Sequence, residues 1–208
     1  MKIHGNFDEI DISVYHLVFI GNSIENTVKA FSEIIDKPDK KYEGALYVST
    51  FSIVIIQTVS FLYEYHNFLQ TTDEQLNNTI NAIKKAVKPA VDQINQWKEI
   101  GEFRNNVLAH NLRDRKKRIT IFEKGLSSYD IPKNGNDLVV LHNCISMIKK
   151  TFQSAFKDKL QAFQNHLDKL PIQQKESRFK NNNDVKVVID EIANEINENI
   201  LRLKMNNL

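Results

Sequence analysis

One cysteine, four prolines and six glycines among 208 residues already exclude several kinds of protein. A lone Cys144 allows no internal disulfide and fits a reducing compartment. Its place on an amphipathic stretch suggests packing rather than catalysis. So few Gly and Pro, set against many Leu, Ile, Lys, Asn and Glu, disfavour a sandwich of short strands and favour helix. The formal charge of +2 is too small to announce nucleic acid, so any basic surface has to be local. There is no Gly-rich phosphate loop, no His-Glu-x-x-His, no Glu-x-x-His and no Ser-His-Asp set that spacing singles out. His66 and Glu64 invite a metal reading, but the six His are dispersed and structural roles suffice, so no metal and no cofactor is expected. The carboxylates Asp8, Glu9 and Asp11 precede the apolar run Ile12–Ile20, the wrong charge for a secretory leader. The expectation is a cytoplasmic protein.

The residues present arrange as helices. Asp8 or Asp11 caps a first helix that continues, with or without a break at Gly21-Asn22, through Ile24, Val28, Phe31 and Ile35 and ends at Lys37-Pro38-Asp39. Gly44 to Tyr63 is twenty residues without a formal charge, long enough to cross a membrane. Ser49, Thr50, Ser52, Gln57, Thr58 and Ser60 dilute it, so it reads as a central helix buried nearly all round, not as a span. Thr72 with Gln75, or Thr71 with Glu74, forms a capping box for a helix carrying Leu76, Ile80, Ile83 and Val87. Pro89 is expected to kink or restart that helix. From Asp137 the stripe Leu138, Leu141, Ile145, Ile148, Phe152, Phe156, Leu160, Phe163, Leu167, Leu170 predicts one helix of roughly 50 Å, which would overhang a compact bundle. Pro171 stops it. A polar linker leads to a last helix capped by Asn183, with Val185, Val188, Ile189, Ile192, Ile196, Ile200 and Leu203 along one side. The domain reading is a helical bundle over 1–170, then a linker and C-terminal helix over 171–208 that packs on the bundle or on a partner subunit.

One stretch, Glu102 to Arg118, carries chemistry. With Ile100 at zero on an ideal helix, Ile94, Trp97, Gly101, Phe103, Val107 and Leu108 fall within one arc of roughly 180°, the face to be buried. Arg104 lies at about +40°, inside that arc, while Asn105 near +140° and His110 near −80° lie at its edges. A guanidinium keeps its charge in a protein, so an Arg aimed at an apolar face needs a carboxylate partner or a place where an anion arrives. Glu64 is a candidate partner, and His110 can serve simply as a favourable C-terminal residue. Arg104 and His110 diverge by about 120° on a straight helix, so a site using both requires a bend near Ala109 or a second copy of the segment.

The order Arg104-Asn105-Asn106-Val107-Leu108-Ala109-His110 resembles the Arg-(polar)-x4-His signature of the HEPN superfamily, the higher eukaryotes and prokaryotes nucleotide-binding domains, and most of all its abortive-infection and uncharacterised bacterial branches. The strict match covers seven residues. The resemblance implies an all-α antiparallel bundle that homodimerises, with two motif helices forming one cleft. It also implies a metal-independent endoribonuclease, a toxin or phage-defence component, with Arg104, Asn105 and His110 as site residues. A nucleotidyltransferase-type antitoxin is an implied partner. Other members have lost catalysis and serve as interaction or RNA-binding modules, and that alternative stays open.

Each role follows from RNA chemistry without a metal, in which the 2′-hydroxyl attacks the adjacent phosphorus. His110 supplies proton transfer near neutral pH. Arg104 presents a donor fork to the phosphorane oxygens, and Asn105 orients the imidazole or binds the ribose. The run Arg113, Arg115, Lys116, Lys117, Arg118, broken only by Asp114, either tracks a phosphate backbone or is an ordinary solvated end. Arg118 to Phe122 suits a short strand or extended loop, followed by an irregular connection through Gly125, Pro132 and Gly135. Tyr129 and Phe122 either stack on bases or pin this loop.

Overall fold

The structure, a computed structural model, describes residues 7–35, 43–108, 113–114, 119–120, 128–171 and 182–205. The protein is all-α. Its helices are α1 (Glu9–Ile35), α2 (Glu43–Asn67), α3 (Glu74–Ile94), α4 (Ile100–Asn106), α5 (Gly135–Ala155), α6 (Lys157–Leu167) and α7 (Asn182–Met205). Between α4 and α5 the strands β1 (Arg113–Asp114) and β2 (Ile119–Thr120) form a minimal antiparallel pair, Arg113 opposite Thr120 and Asp114 opposite Ile119. The chain divides into a unit over 1–168 and a second over 169–208. In the first, α1 packs on α2, α5 and α6, α3 packs on α5, and α4 lies against α2 and β1. The second contains α7, where Val187, Ile189, Ile192 and Ile196 are exposed.

Helix α1 starts where two carboxylates cap it reciprocally. Asp8 Oδ1 accepts from Asp11 N–H at 2.8 Å, and Asp11 Oδ2 accepts from Asp8 N–H at 3.4 Å. The helix then runs without a break through Gly21-Asn22, which decides the alternative the sequence left open. Gly21 is a packing notch. It occupies the core stripe of Ile10, Val14, Leu17, Ile24 and Phe31, and a Cβ there would sit 2.9 Å from Lys149 Cδ and 3.1 Å from Cγ. Through this notch the Lys149 stem reaches across α1. Its Nζ donates to Glu25 Oε2 at 2.6 Å and to Asn22 Oδ1 at 2.9 Å, while Lys29 holds Glu25 Oε1 at 2.7 Å. Gly21→Ala is expected to destabilise by about 1 kcal/mol in urea unfolding, because displacing the wedged lysine outweighs the roughly 1 kcal/mol helix-propensity gain. In a Lys149→Ala background the same substitution should stabilise.

Three helix ends differ from the sequence reading. Asp73, not a threonine, caps α3, its Oδ1 accepting from Leu76 N–H at 2.9 Å. Pro89 does not restart a helix, because α3 continues through it to Ile94. Exposed Pro89 costs roughly 3 kcal/mol, but stopping there would expose Val91 and Ile94, each worth roughly 1.5–3 kcal/mol buried. The long C-terminal helix is two helices, α5 and α6, meeting at Phe156 with φ −114° and ψ 23°. The bend buries Phe156 beside Phe152 and lets α6 turn back onto α1. There Phe163 packs edge-on to Phe7 at 4.8 Å, and Tyr15 Oη donates to Gln164 Oε1 at 3.1 Å.

Helix α2 is also not buried all round. Phe51, Val54, Ile55, Thr58 and Phe61 are fully enclosed, but Ile53 is 46% exposed, Ile56 38% and Tyr63 60%. Among the described residues, Gly44–Asn67 is the one helix long and apolar enough to cross a membrane.

Candidate functional site

The motif begins after a turn that the loop holds in place. Asn95 closes α3, and residues 95–99 turn before α4 starts at Ile100. Asp130 clasps that turn. Its N–H donates to Glu99 Oε2 at 2.6 Å, its carbonyl accepts from Glu99 N–H at 3.1 Å, and its carboxylate accepts from Lys98 N–H at 3.3 Å. Beside it, buried Tyr129 meets Phe103 edge-on, centroids 5.0 Å apart. Tyr129 therefore pins the loop and presents no face for a base. Phe122 lies outside the described residues. Glu99→Ala removes the acceptor for the Asp130 N–H and is expected to cost about 1 kcal/mol of stability, read as a lower midpoint in urea unfolding.

The arc read from the sequence is the buried face. Ile94, Ile100, Phe103 and Val107 are buried, with Trp97, Gly101 and Leu108 partly so. These residues do not belong to one continuous helix, because α4 ends at Asn106. The straight helix on which Arg104 and His110 would diverge by about 120° therefore stops at Asn106.

Arg104 is half-buried, as its position within the arc requires, and Asn105 is exposed at the edge. Arg104 Nη1 donates to Asn105 Oδ1 at 2.8 Å. Among the described residues no carboxylate lies within ion-pairing distance of Arg104. Glu64, its candidate partner from sequence, instead approaches His16, with Nδ1 at 4.0 Å. The guanidinium is thus oriented by a neutral amide, which adds no charge to offset its own. This engages Asn105 with Arg104, a role the spacing argument did not assign to it. The missed signal was adjacency, since neighbouring long side chains at the end of a short helix can reach one another.

His110, Arg115, Lys116, Lys117 and Arg118 lie outside the described residues. Arg113 is described in its backbone alone, on β1, which lies against α4. The start of the basic run is thus placed beside the motif helix. Among the described residues no group of three His, Cys, Asp or Glu is placed to hold a metal ion. A groove of about 490 Å³ lies elsewhere, lined by Tyr15, Phe19, Asn22, Gln153, Lys157 and Gln164 among others, and no residue of α4 contributes to it.

His142 and Cys144 on α5 are perturbed by burial, which lowers the imidazole pKa and raises that of the thiol. Both belong to the packing of α5. Comparison with family models, curated proteins and solved structures finds no match.

Proposed function

We propose that this protein is a metal-independent endoribonuclease of the HEPN type, acting as a homodimer in which Arg104 and His110 of two copies line one cleft. The observation that carries this reading is Arg104: half-buried, oriented by Asn105, and without a carboxylate partner among the described residues. A fixed cation of this kind favours an arriving anion, and its planar fork matches two phosphate oxygens. The 2′-oxygen bonds to phosphorus, the bond to O5′ breaks, and His110 moves the proton from the 2′-hydroxyl toward the leaving oxygen. Arg104 stabilises the charge that builds on the phosphorane. The start of the basic run, on β1 beside α4, supports a path for the RNA backbone. A cytoplasmic toxin or phage-defence role, with a nucleotidyltransferase-type antitoxin, accompanies this reading.

The exposed apolar face of α2 favours a second reading, a non-catalytic helical interaction or RNA-binding module. Incubating purified protein with mixed-sequence RNA in excess chelator separates the two. The ribonuclease reading requires cleavage that leaves 2′,3′-cyclic phosphate ends and fails in His110→Ala. Absence of cutting by a dimeric wild-type protein supports the module.

A further inference from the structure

We infer that the exposed face of α2 is a two-fold interface, occupied by the same face of a second copy of this chain in antiparallel register. Ala45, Ser49, Ile53, Ile56, Ser60, Tyr63 and Asn67 recur every three or four residues and share one strip of α2, about 33 Å long. The opposite side of the helix, with Phe51, Val54, Ile55 and Phe61, is locked in the bundle core.

The order of sizes along the strip identifies the occupant. Ser49 and Tyr63 stand seven residues either side of Ile56, and Ile53 and Ser60 stand three and four residues from it. An antiparallel two-fold axis through Ile56 sets Tyr63 of one copy over Ser49 of the other. Ile53 meets Ser60, and Ala45 meets Asn67. Tyr63, Ile53 and Asn67 then each face a smaller side chain, while Ile56 at the axis meets its own equivalent. A parallel arrangement would oppose Tyr63 to Tyr63 and leave gaps at the serines.

Charge and hydrogen bonding agree with this occupant. The twenty residues from Gly44 to Tyr63 hold no formal charge, so two copies meet without repulsion and a charged partner finds no complement. Ser60 Oγ already donates to Ile56 O at 3.0 Å and Asn67 Nδ2 to Tyr63 O at 2.9 Å, so covering them strands neither donor. A bilayer is a poorer occupant, because spanning it would pull Phe51, Val54, Ile55 and Phe61 out of the core. This interface stands on α2 alone and holds whether or not the protein cuts RNA.

Sedimentation equilibrium of the full chain tests it. One helix pair is a small interface, so a dimer dissociating in roughly the micromolar range is expected. Ile56→Lys should weaken it at least tenfold with an unchanged thermal midpoint, since Ile56 is already exposed. In a Cys144→Ala background, Ser49→Cys and Tyr63→Cys proteins should form a disulfide dimer when mixed and not alone. Three outcomes overturn the inference: a monomer across the whole range, like-with-like cross-links, or flotation with phosphatidylglycerol vesicles that Ile56→Lys abolishes.

Discussion

In excess chelator, Arg104→Ala is expected to lower RNA cleavage by about 10²–10³-fold while leaving the thermal midpoint within a few degrees of wild type. The magnitude is that of losing one preorganised donor at a developing oxyanion. Stability should change little because Arg104 has no carboxylate to strand among the described residues and is only half-buried. His110→Ala should cost about 10²–10⁴-fold, the usual worth of a positioned proton-transfer group. The Arg104–Asn105 bond adds a finer expectation. Asn105→Ala frees the guanidinium to sample other rotamers and should lower activity by roughly tenfold, an effect of positioning. Asn105→Asp keeps the acceptor but neutralises the cation, so substrate affinity should fall although Arg104 is held at least as firmly. Activity that is indifferent to Arg104→Ala would sink the ribonuclease assignment, and the initial rates of single-turnover cleavage read the outcome directly.

Glu25→Gln is expected to destabilise by about 3 kcal/mol, and Lys149→Met by no more than about 1 kcal/mol, although the two residues form one ion pair. The asymmetry comes from burial. The Lys149 side chain is 5% exposed, so losing the carboxylate leaves an ammonium in the bundle with only neutral acceptors. Glu25 is 20% exposed and keeps Lys29 when Lys149 is lost. For a unit of this size the larger loss corresponds to roughly 6–12 °C in the melting midpoint.

The same pair predicts acid lability. Hydrogen bonds from Lys149 and Lys29 hold the Glu25 carboxyl at about 2, against 4.5 in the absence of partners. A lowered native pKa means that the unfolded chain binds the proton more readily. The stabilisation is therefore complete above 4.5 and drains away as pH falls toward about 2. Thermal midpoints of wild type should drop across that window, and the part due to Glu25 should be missing in Glu25→Gln. His142 acts higher. Burial lowers its pKa from 6.5, so its contribution is present above that value and begins to fade as pH drops below it.

The sequence by itself determined that the chain is helical and which side of most helices turns inward. The arc of Ile94, Ile100, Phe103 and Val107 was legible from spacing alone, and so was the capping of α1 by Asp8, because both depend on residues within one or two turns. The position of Arg104 within that arc was legible for the same reason. Tertiary structure decided where helices stop. Proline at position 89 is tolerated because Val91 and Ile94 have a core to enter, α4 restarts because Asp130 clasps Glu99 from across the chain, and α5 yields to α6 where aromatic contacts with α1 reward a bend at Phe156. Gly21 makes the same point, since a glycine read locally is a weak spot and only the crossing of Lys149 reveals it as a notch. One signal was present in the sequence: Lys149 sits between Ile145 and Phe152 on the apolar stripe of α5, a position a charge occupies only when a partner waits there. The partner itself, Glu25 on another helix, could come only from the fold, because periodicity assigns a residue to a face and is silent about what that face meets.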